Sequence, residues 1–381
     1  MDLTSALDDS LRYDAEYATR LSNHLPMLLV ALHRLGASDE RLATASATYA
    51  KKLHAMPPLQ AWQAGDPWRE PLGQPTAWPR FRDLFTTWLQ EEGAGETLRQ
   101  ALPALMPGCG AAAFHGLIRC AYAVDAAHRA ELAHALAYWS SRWLDLGVNG
   151  QTDGAEAASA VIGASTSVTT RATTRVTTRG TTRGITRAIT RASAVASAIP
   201  RSRASASASG RQADPAPLLK AAAAVAGVGA APSGYIAECM HHAAWQPGFE
   251  QAISPLRLDE DTLPRLARHA AQMYARSGDF TVLHLVTSAW ALRVLLPFVD
   301  DLQAALAGYW RAYAAGAASV WGKLELTPAP APLPWPQIVQ RALASDDEHV
   351  VKLVHACQQE QQAHGGADDW QRAASRAVMG V

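Results

Sequence analysis

The sequence predicts an all-α fold: a single large helical domain with a central low-complexity insertion. Three observations predict it. Apolar residues recur at helical spacing through alanine-rich stretches in both halves, while alternating β-branched residues are confined to one biased tract. With 381 residues, 49% of them hydrophobic, the chain can bury a sizeable core. Between residues 148 and 214 the composition changes abruptly, and neither flanking half looks complete alone. The expected organisation is one discontinuous domain, 1–147 with 215–381, around an insertion at 148–214.

Residues 8–22 read as a polar helix. An apolar helix follows, with Pro26 suited to its first position and Gly36 to its end. His24 then sits just outside the helix N-terminus, able to reach into a cavity, and His33 lies near the C-terminal dipole. Ser38-Asp39-Glu40 starts a helix to about Leu53. Prolines and glycines from Pro57 to Pro79 make a long loop, whose Trp62, Trp68 and Trp78 either anchor it or close over a pocket. Helical patterns resume over 80–92 and 95–105, stop at Pro107-Gly108, and restart over Ala111–Tyr122. That last helix is apolar on all sides, with His115 and Arg119 as exceptions. The next, from about His128 to Leu146, carries Glu131 and His134 one turn apart, where they can pair.

From Val168 to Arg191 the tetrads VTTR, ATTR, VTTR, GTTR, GITR and AITR follow one another, and an Ala/Ser/Arg tract continues to Arg211. Threonine and glycine oppose helix, and little apolar surface offsets chain entropy, so 148–214 is expected to be disordered. The tract holds nine arginines against three acidic residues, leaving 25 basic and 31 acidic residues elsewhere. That mildly acidic remainder argues against nucleic acid as the partner of the main domain. Cys109, Cys120, Cys239 and Cys357 form no CxxC pair, so neither a zinc knuckle nor a disulfide framework is indicated, and a reduced, cytoplasmic setting is expected. The first residues are acidic where a signal peptide is basic, and no long uncharged apolar run follows, so no membrane span is expected. The sequence leaves the oligomeric state open.

Beyond the tract, helices are expected over Pro215–Ala226, around Tyr235–Trp245 with His241 and His242, and over Thr262–Ser277. Phe280–Arg293 is apolar all round and carries His284 and Thr287 one turn apart. Further helices fall within 297–321 and 337–344. The stretch Asp346–Cys357 then places Lys352 midway between His349 and His355, within an arc of about 120° at roughly 100° per residue, on a helix capped by Asp346 or Ser345. A buried lysine is costly unless paired, neutralised or modified, which makes Lys352 a candidate for chemistry. The plainer alternative is a lysine that snorkels to solvent.

No phosphate loop, GxSxG elbow or HExxH helix occurs, and Gly227–Gly234 lacks the spacing and preceding strand of a dinucleotide fingerprint. What remains is His24, His115, His284, His349 and His355, each on or beside an apolar helix. Neutral imidazoles converging between helices suit iron, zinc or copper.

Five stretches carry a resemblance in order: Asn23-His24-Leu25-Pro26-Met27 with Ala31–Gly36, Phe114–Arg119, Glu131–Trp139, Thr281–Thr287 and Asp347–Ala356. Together they resemble the questin oxidase-like family, across both halves but outside the insertion. The resemblance implies an all-helical oxidoreductase, an oxygenase that cleaves a small polycyclic, anthraquinone-like aromatic substrate with O2. It implies Fe(2+) held by His24, His115, His284, His355 and a carboxylated Lys352, with His349 the substitute for a ligand that fails. Glu131 and His134 are the candidates for outer partners of those ligands. The family is associated with two mechanisms, a non-haem iron dioxygenase and an NADPH-dependent Baeyer-Villiger monooxygenase, and the missing nucleotide fingerprint favours the first. A non-catalytic small-molecule-binding protein that keeps the helical pocket is the remaining alternative. Trp290 stands where another histidine is expected in many relatives, a departure that bears on substrate handling.

Overall fold

A computed structural model of the protein describes residues 1–147, 214–227, 234–365 and 368–380, so the expected disorder of the insertion falls on residues, 148–213, outside the described ones. The described residues are 67% helical and form 16 α-helices and one two-stranded sheet. Before the insertion come α1 (Leu3–Ser10), α2 (Leu25–Arg34), α3 (Asp39–Ala50), α4 (Trp78–Glu91), α5 (Gly93–Leu105), α6 (His115–Asp125) and α7 (Arg129–Ser141). After it come α8 (Pro215–Ala226), α9 (Ile236–Ala244), α10 (Phe249–Ile253), α11 (Thr262–Ser277) and α12 (Phe280–Leu295). The chain closes with α13 (Leu302–Trp321), α14 (Trp335–Ala344), α15 (Glu348–His364) and α16 (Asp369–Met379).

Four helices make the centre. α2 packs on α6, α6 on α12, α12 on α15 and α15 back on α2, so two helices from each side of the insertion close one ring. α12 is largely enclosed: Asp279 caps it by accepting from Thr281 and Val282 N–H at 2.8 and 3.0 Å, and 13 of its 16 residues are buried. Phe280–Phe298 is long and apolar enough to cross a membrane by composition alone. Yet 72% of that window is buried inside the protein, where α6, α11, α13 and α15 receive its apolar surface. On the other side, α7 packs against α6 and α4. The closest approach is at Gly116, where a Cβ would lie 2.8 Å from the Trp139 backbone, so a side chain there would lever α6 off α7.

Two expected elements differ. The polar helix over 8–22 ends at Ser10, and a hairpin replaces its second half, with β1 (Glu16–Tyr17) antiparallel to β2 (Leu21–Ser22). Asp8 and Asp9 oppose the negative end of a continuing helix, and Tyr17 and the alternation around it suit a strand pair. The helix expected from Ala111 begins only at His115, because Ala112, Ala113 and Phe114 all take positive φ, at 47°, 57° and 67°. Three consecutive left-handed residues without a glycine are strained. Apolar periodicity cannot register such a turn. The loop tryptophans anchor rather than close: Trp62 stacks on Phe81, Trp68 meets Phe85 and Trp88, and Trp78 meets His134.

Candidate metal centre

The four central helices start at the same end of the ring, and each brings one histidine there. His24 is the residue before α2, and His115 is the first of α6 behind the left-handed turn. His284 lies in the second turn of α12, and His349 is the second residue of α15. Their rings form a closed circuit: His24 stacks on His115 at 4.5 Å between centroids, His115 meets His284 at 4.8 Å, His284 meets His349 at 5.8 Å, and His349 meets His24 at 4.7 Å.

The hydrogen bonds fix which nitrogen of each ring is free. His284 Nδ1 donates to the Phe280 carbonyl at 2.7 Å, and His115 Nδ1 donates to the Ala112 carbonyl, which the left-handed turn aims at it. His24 Nδ1 donates to Glu348 Oε1, and His349 Nδ1 to Asp347 Oδ1, both at 3.2 Å. Every partner is an oxygen that can only accept, so every Nδ1 carries the proton. Burial, followed by the charge of Lys352 or of neighbouring histidines, holds all four rings below the usual histidine range, so they are neutral at pH 7. Each neutral ring therefore keeps an unprotonated Nε2.

Among the described residues, no donor hydrogen is bonded to those lone pairs. His115 Nε2 and His284 Nε2 face each other at 3.3 Å, which two acceptors do not sustain without a cation beside them. His349 Nε2 is buried without a partner. One ligand atom from each of His24, His115 and His349 lies within 4.8 Å of the others. An ion bound about 2.1 Å from each nitrogen needs separations of roughly 3 to 4 Å, a spacing that the His115–His284 pair already has. The donor set fits a divalent transition-metal ion, with each imidazole oriented by a hydrogen bond from its far nitrogen.

Lys352 stands one turn after His349, is 1% exposed, and has no carboxylate within ion-pairing distance among the described residues. Burial pushes its ammonium down to about 8, against the opposing pull of Glu348 and Asp347. Glu348 is the local counter-charge. Its Oε1 accepts from His24 Nδ1, from Tyr49 OH at 3.2 Å and from Lys52 Nζ at 3.4 Å, while Tyr49 OH also accepts the His24 backbone N–H at 3.1 Å. Burial opposes ionisation of Glu348, but His349, its own backbone N–H and the two lysines outweigh it and hold the carboxyl below its usual range. Glu348→Gln should therefore keep the fold and weaken metal affinity about 10- to 100-fold, the usual cost of losing an outer partner of a ligating histidine. Titration of the metal-free variant with Fe(2+) or Co(2+) measures it.

Not every expected site residue joins this group. His24, His115, His284, His349 and Lys352 come together; His355 does not. It lies six residues beyond His349, about 9 Å further along the helix axis, where Tyr122 OH meets its Nδ1 at 3.1 Å and Trp290 packs at 5.0 Å. Angular position alone groups it with the others, and axial rise separates it. Trp290 belongs to this deeper layer. Glu131 and His134 also stay apart: Glu131 makes a buried two-point pair with Arg119 at 2.6 and 3.0 Å, and His134 Nδ1 is buried without a partner beside Trp78. The acidic partner is instead Glu348, which the sequence presents only as a first-turn acidic residue. Tyr49 and Lys52 carry no sequence signal that separates them from any other exposed-looking helix end.

The histidines open onto a cavity of about 1060 Å³, whose wall includes Tyr17, Trp143, Tyr235 and Phe280 together with Glu16 and Arg142. Aromatic walls around a few polar groups suit a flat, unsaturated ligand. Fold and site define a helical protein whose His/Glu cluster can hold a metal ion at the floor of an aromatic-lined pocket. The chain belongs to the questin oxidase-like family, whose model matches residues 21–357. That family is one of oxidase-type oxidoreductases acting on aromatic substrates. No curated protein matches the chain.

Proposed function

We propose that the protein is a non-haem iron oxygenase that cleaves a polycyclic, anthraquinone-like substrate with O2. The observation that carries this reading is the cluster of His24, His115 and His349, whose ligand atoms lie within 4.8 Å of one another, with His284 Nε2 at 3.3 Å from His115 Nε2, all lining one cavity. His24, His115, His284 and His349 would hold the iron, with Lys352 as the fifth ligand after carboxylation; His349 takes the place that the resemblance gives to His355. Bound iron supplies the one-electron chemistry through which O2 reacts with an aromatic ring.

The protein's own residues account for the rest. A lysine depressed to about 8 has a substantial neutral fraction near pH 7.5, and its amine adds to CO2 to give a carbamate and a proton. The carbamate replaces a buried positive charge by a negative one at a point where four helix N-termini converge, each presenting roughly half a positive charge. The aromatic wall orients the ring, and burial of the histidines keeps bulk water from the floor. Iron content and oxygen uptake test the reading. Purified protein should take up about one Fe(2+) per chain, at the cluster around His349, and consume O2 with a hydroxyanthraquinone and no added nucleotide. Oxygen uptake only with NADPH supports the monooxygenase instead, and no iron uptake under anaerobic conditions supports a non-catalytic pocket.

A further inference from the structure

The cavity has a second polar feature, at its side wall. Arg142, just past the end of α7, donates to Glu16 on β1, and both line the cavity. Glu16 Oε1 also accepts from Tyr138 OH at 3.1 Å, and Tyr138 OH shares a 2.7 Å hydrogen bond with Ser22. The other N–H groups of the Arg142 side chain make no hydrogen bond among the described residues, and the Glu16 carboxylate has lone pairs beyond the two in use. A free donor and a free acceptor thus stand side by side on a wall that also carries the Arg20–Glu238 pair, His241 and His242.

Their position relative to the histidines is set by the hairpin. Glu16 pairs directly with Ser22, and Ser22 is two residues before His24. The ladder step adds about 5 Å and two residues span at most about 7 Å, so a flat ligand of about three fused rings touching this pair reaches the histidine cluster with its far ring. A donor beside an acceptor matches a carbonyl oxygen beside a hydroxyl on adjoining ring positions. We propose that Arg142 and Glu16 are the specificity-determining pair of the cavity, Arg142 donating to the carbonyl and Glu16 accepting from the hydroxyl. This rests on the cavity being the substrate site of the oxygenase, but not on the metal.

The test therefore uses metal-free, full-length protein, and quenching of tryptophan fluorescence, to which Trp143 in the cavity wall contributes. The probes are 1-hydroxyanthraquinone, which carries the matching edge, 1-methoxyanthraquinone, which lacks the donor, and unsubstituted anthraquinone. Wild-type protein should bind the hydroxy compound about tenfold or more tighter than the other two, the worth of one or two well-formed hydrogen bonds. The double variant Glu16→Leu with Arg142→Met replaces the pair by apolar groups, and should bring the three affinities within about threefold while keeping anthraquinone binding. Arg142→Lys keeps the charge but cannot fork between Glu16 and a ligand, and should lose part of the preference if the double variant does not fold. Equal binding of the three probes by wild type overturns the proposal, and so does a folded double variant that keeps the preference or loses all three probes alike. Protein that discriminates the probes but takes up no iron refutes the iron reading and leaves this one standing.

Discussion

Lys352→Met is expected to fold, to lose nearly all metal affinity and to abolish oxygen uptake, with no recovery on adding bicarbonate. Methionine fills the same buried volume without charge and cannot form a carbamate. Wild-type protein, by contrast, should bind metal more tightly as CO2 is supplied. The metal-free proteins give a second, independent readout. Burial lowers the lysine to about 8 in the folded chain, against an ordinary value of 10.5. Between those values the unfolded chain binds more protons than the folded one, so stability rises with pH across that window, and below pH 8 folding bears the whole cost of burying the ammonium. Removing the amine should therefore stabilise metal-free protein at pH 7 by a few kcal/mol. The gain should shrink from pH 8 towards pH 10.5. A variant that holds iron as tightly as wild type refutes the carbamate ligand, and an unchanged melting temperature at pH 7 refutes the burial cost.

The helical architecture is legible because its signals are local. Pro26 and Gly36 bracket α2 almost to the residue, and Thr262–Ser277 is bounded as expected, since caps and apolar periodicity both act within a few residues. Helices that look apolar all round, such as α6 and α12, are members of the central ring with few exposed residues. A polar group on or beside such a helix is conspicuous in the bare sequence, which is why His24, His115, His284 and Lys352 stand out there. The parts that are not legible depend on three-dimensional relations. The left-handed turn at Ala112–Phe114 aims a carbonyl at His115 with residues that ordinarily avoid that conformation. Glu348 looks like any acidic residue at a helix start, and only the approach of α2 and α3 turns it into the partner of His24, Tyr49 and Lys52. Glu131 is within reach of His134 at one turn, but Arg119 on the neighbouring helix is a stronger partner, because a bidentate guanidinium satisfies both carboxylate oxygens.

His349 and His355 should separate cleanly when each is replaced. His349→Ala removes one of the three ligand atoms that cluster within 4.8 Å. It should lower metal affinity by more than the roughly 10- to 100-fold that an outer partner is worth, and it should abolish oxygen uptake. The fold should survive, since His349 Nε2 has no partner to lose and the N-cap by Asp347 uses the backbone N–H at 2.8 Å, which alanine retains. His355→Phe touches a different layer. Burial lowers His355 to about 4, so it is neutral at pH 7, and its contacts are Tyr122 OH and the Trp290 ring rather than any member of the histidine circuit. Phenylalanine keeps the aromatic packing but leaves the buried Tyr122 hydroxyl without its partner, which costs about 1–3 kcal/mol of stability. The expected pattern is thus a crossed one: His349→Ala loses metal with little change in the metal-free melt, and His355→Phe melts earlier while binding metal within a few-fold of wild type. Isothermal titration and thermal denaturation of metal-free protein read both. If His355→Phe loses the metal and His349→Ala retains it, the ligand is His355, and α15 must then bind the metal two turns deeper than its N-terminus.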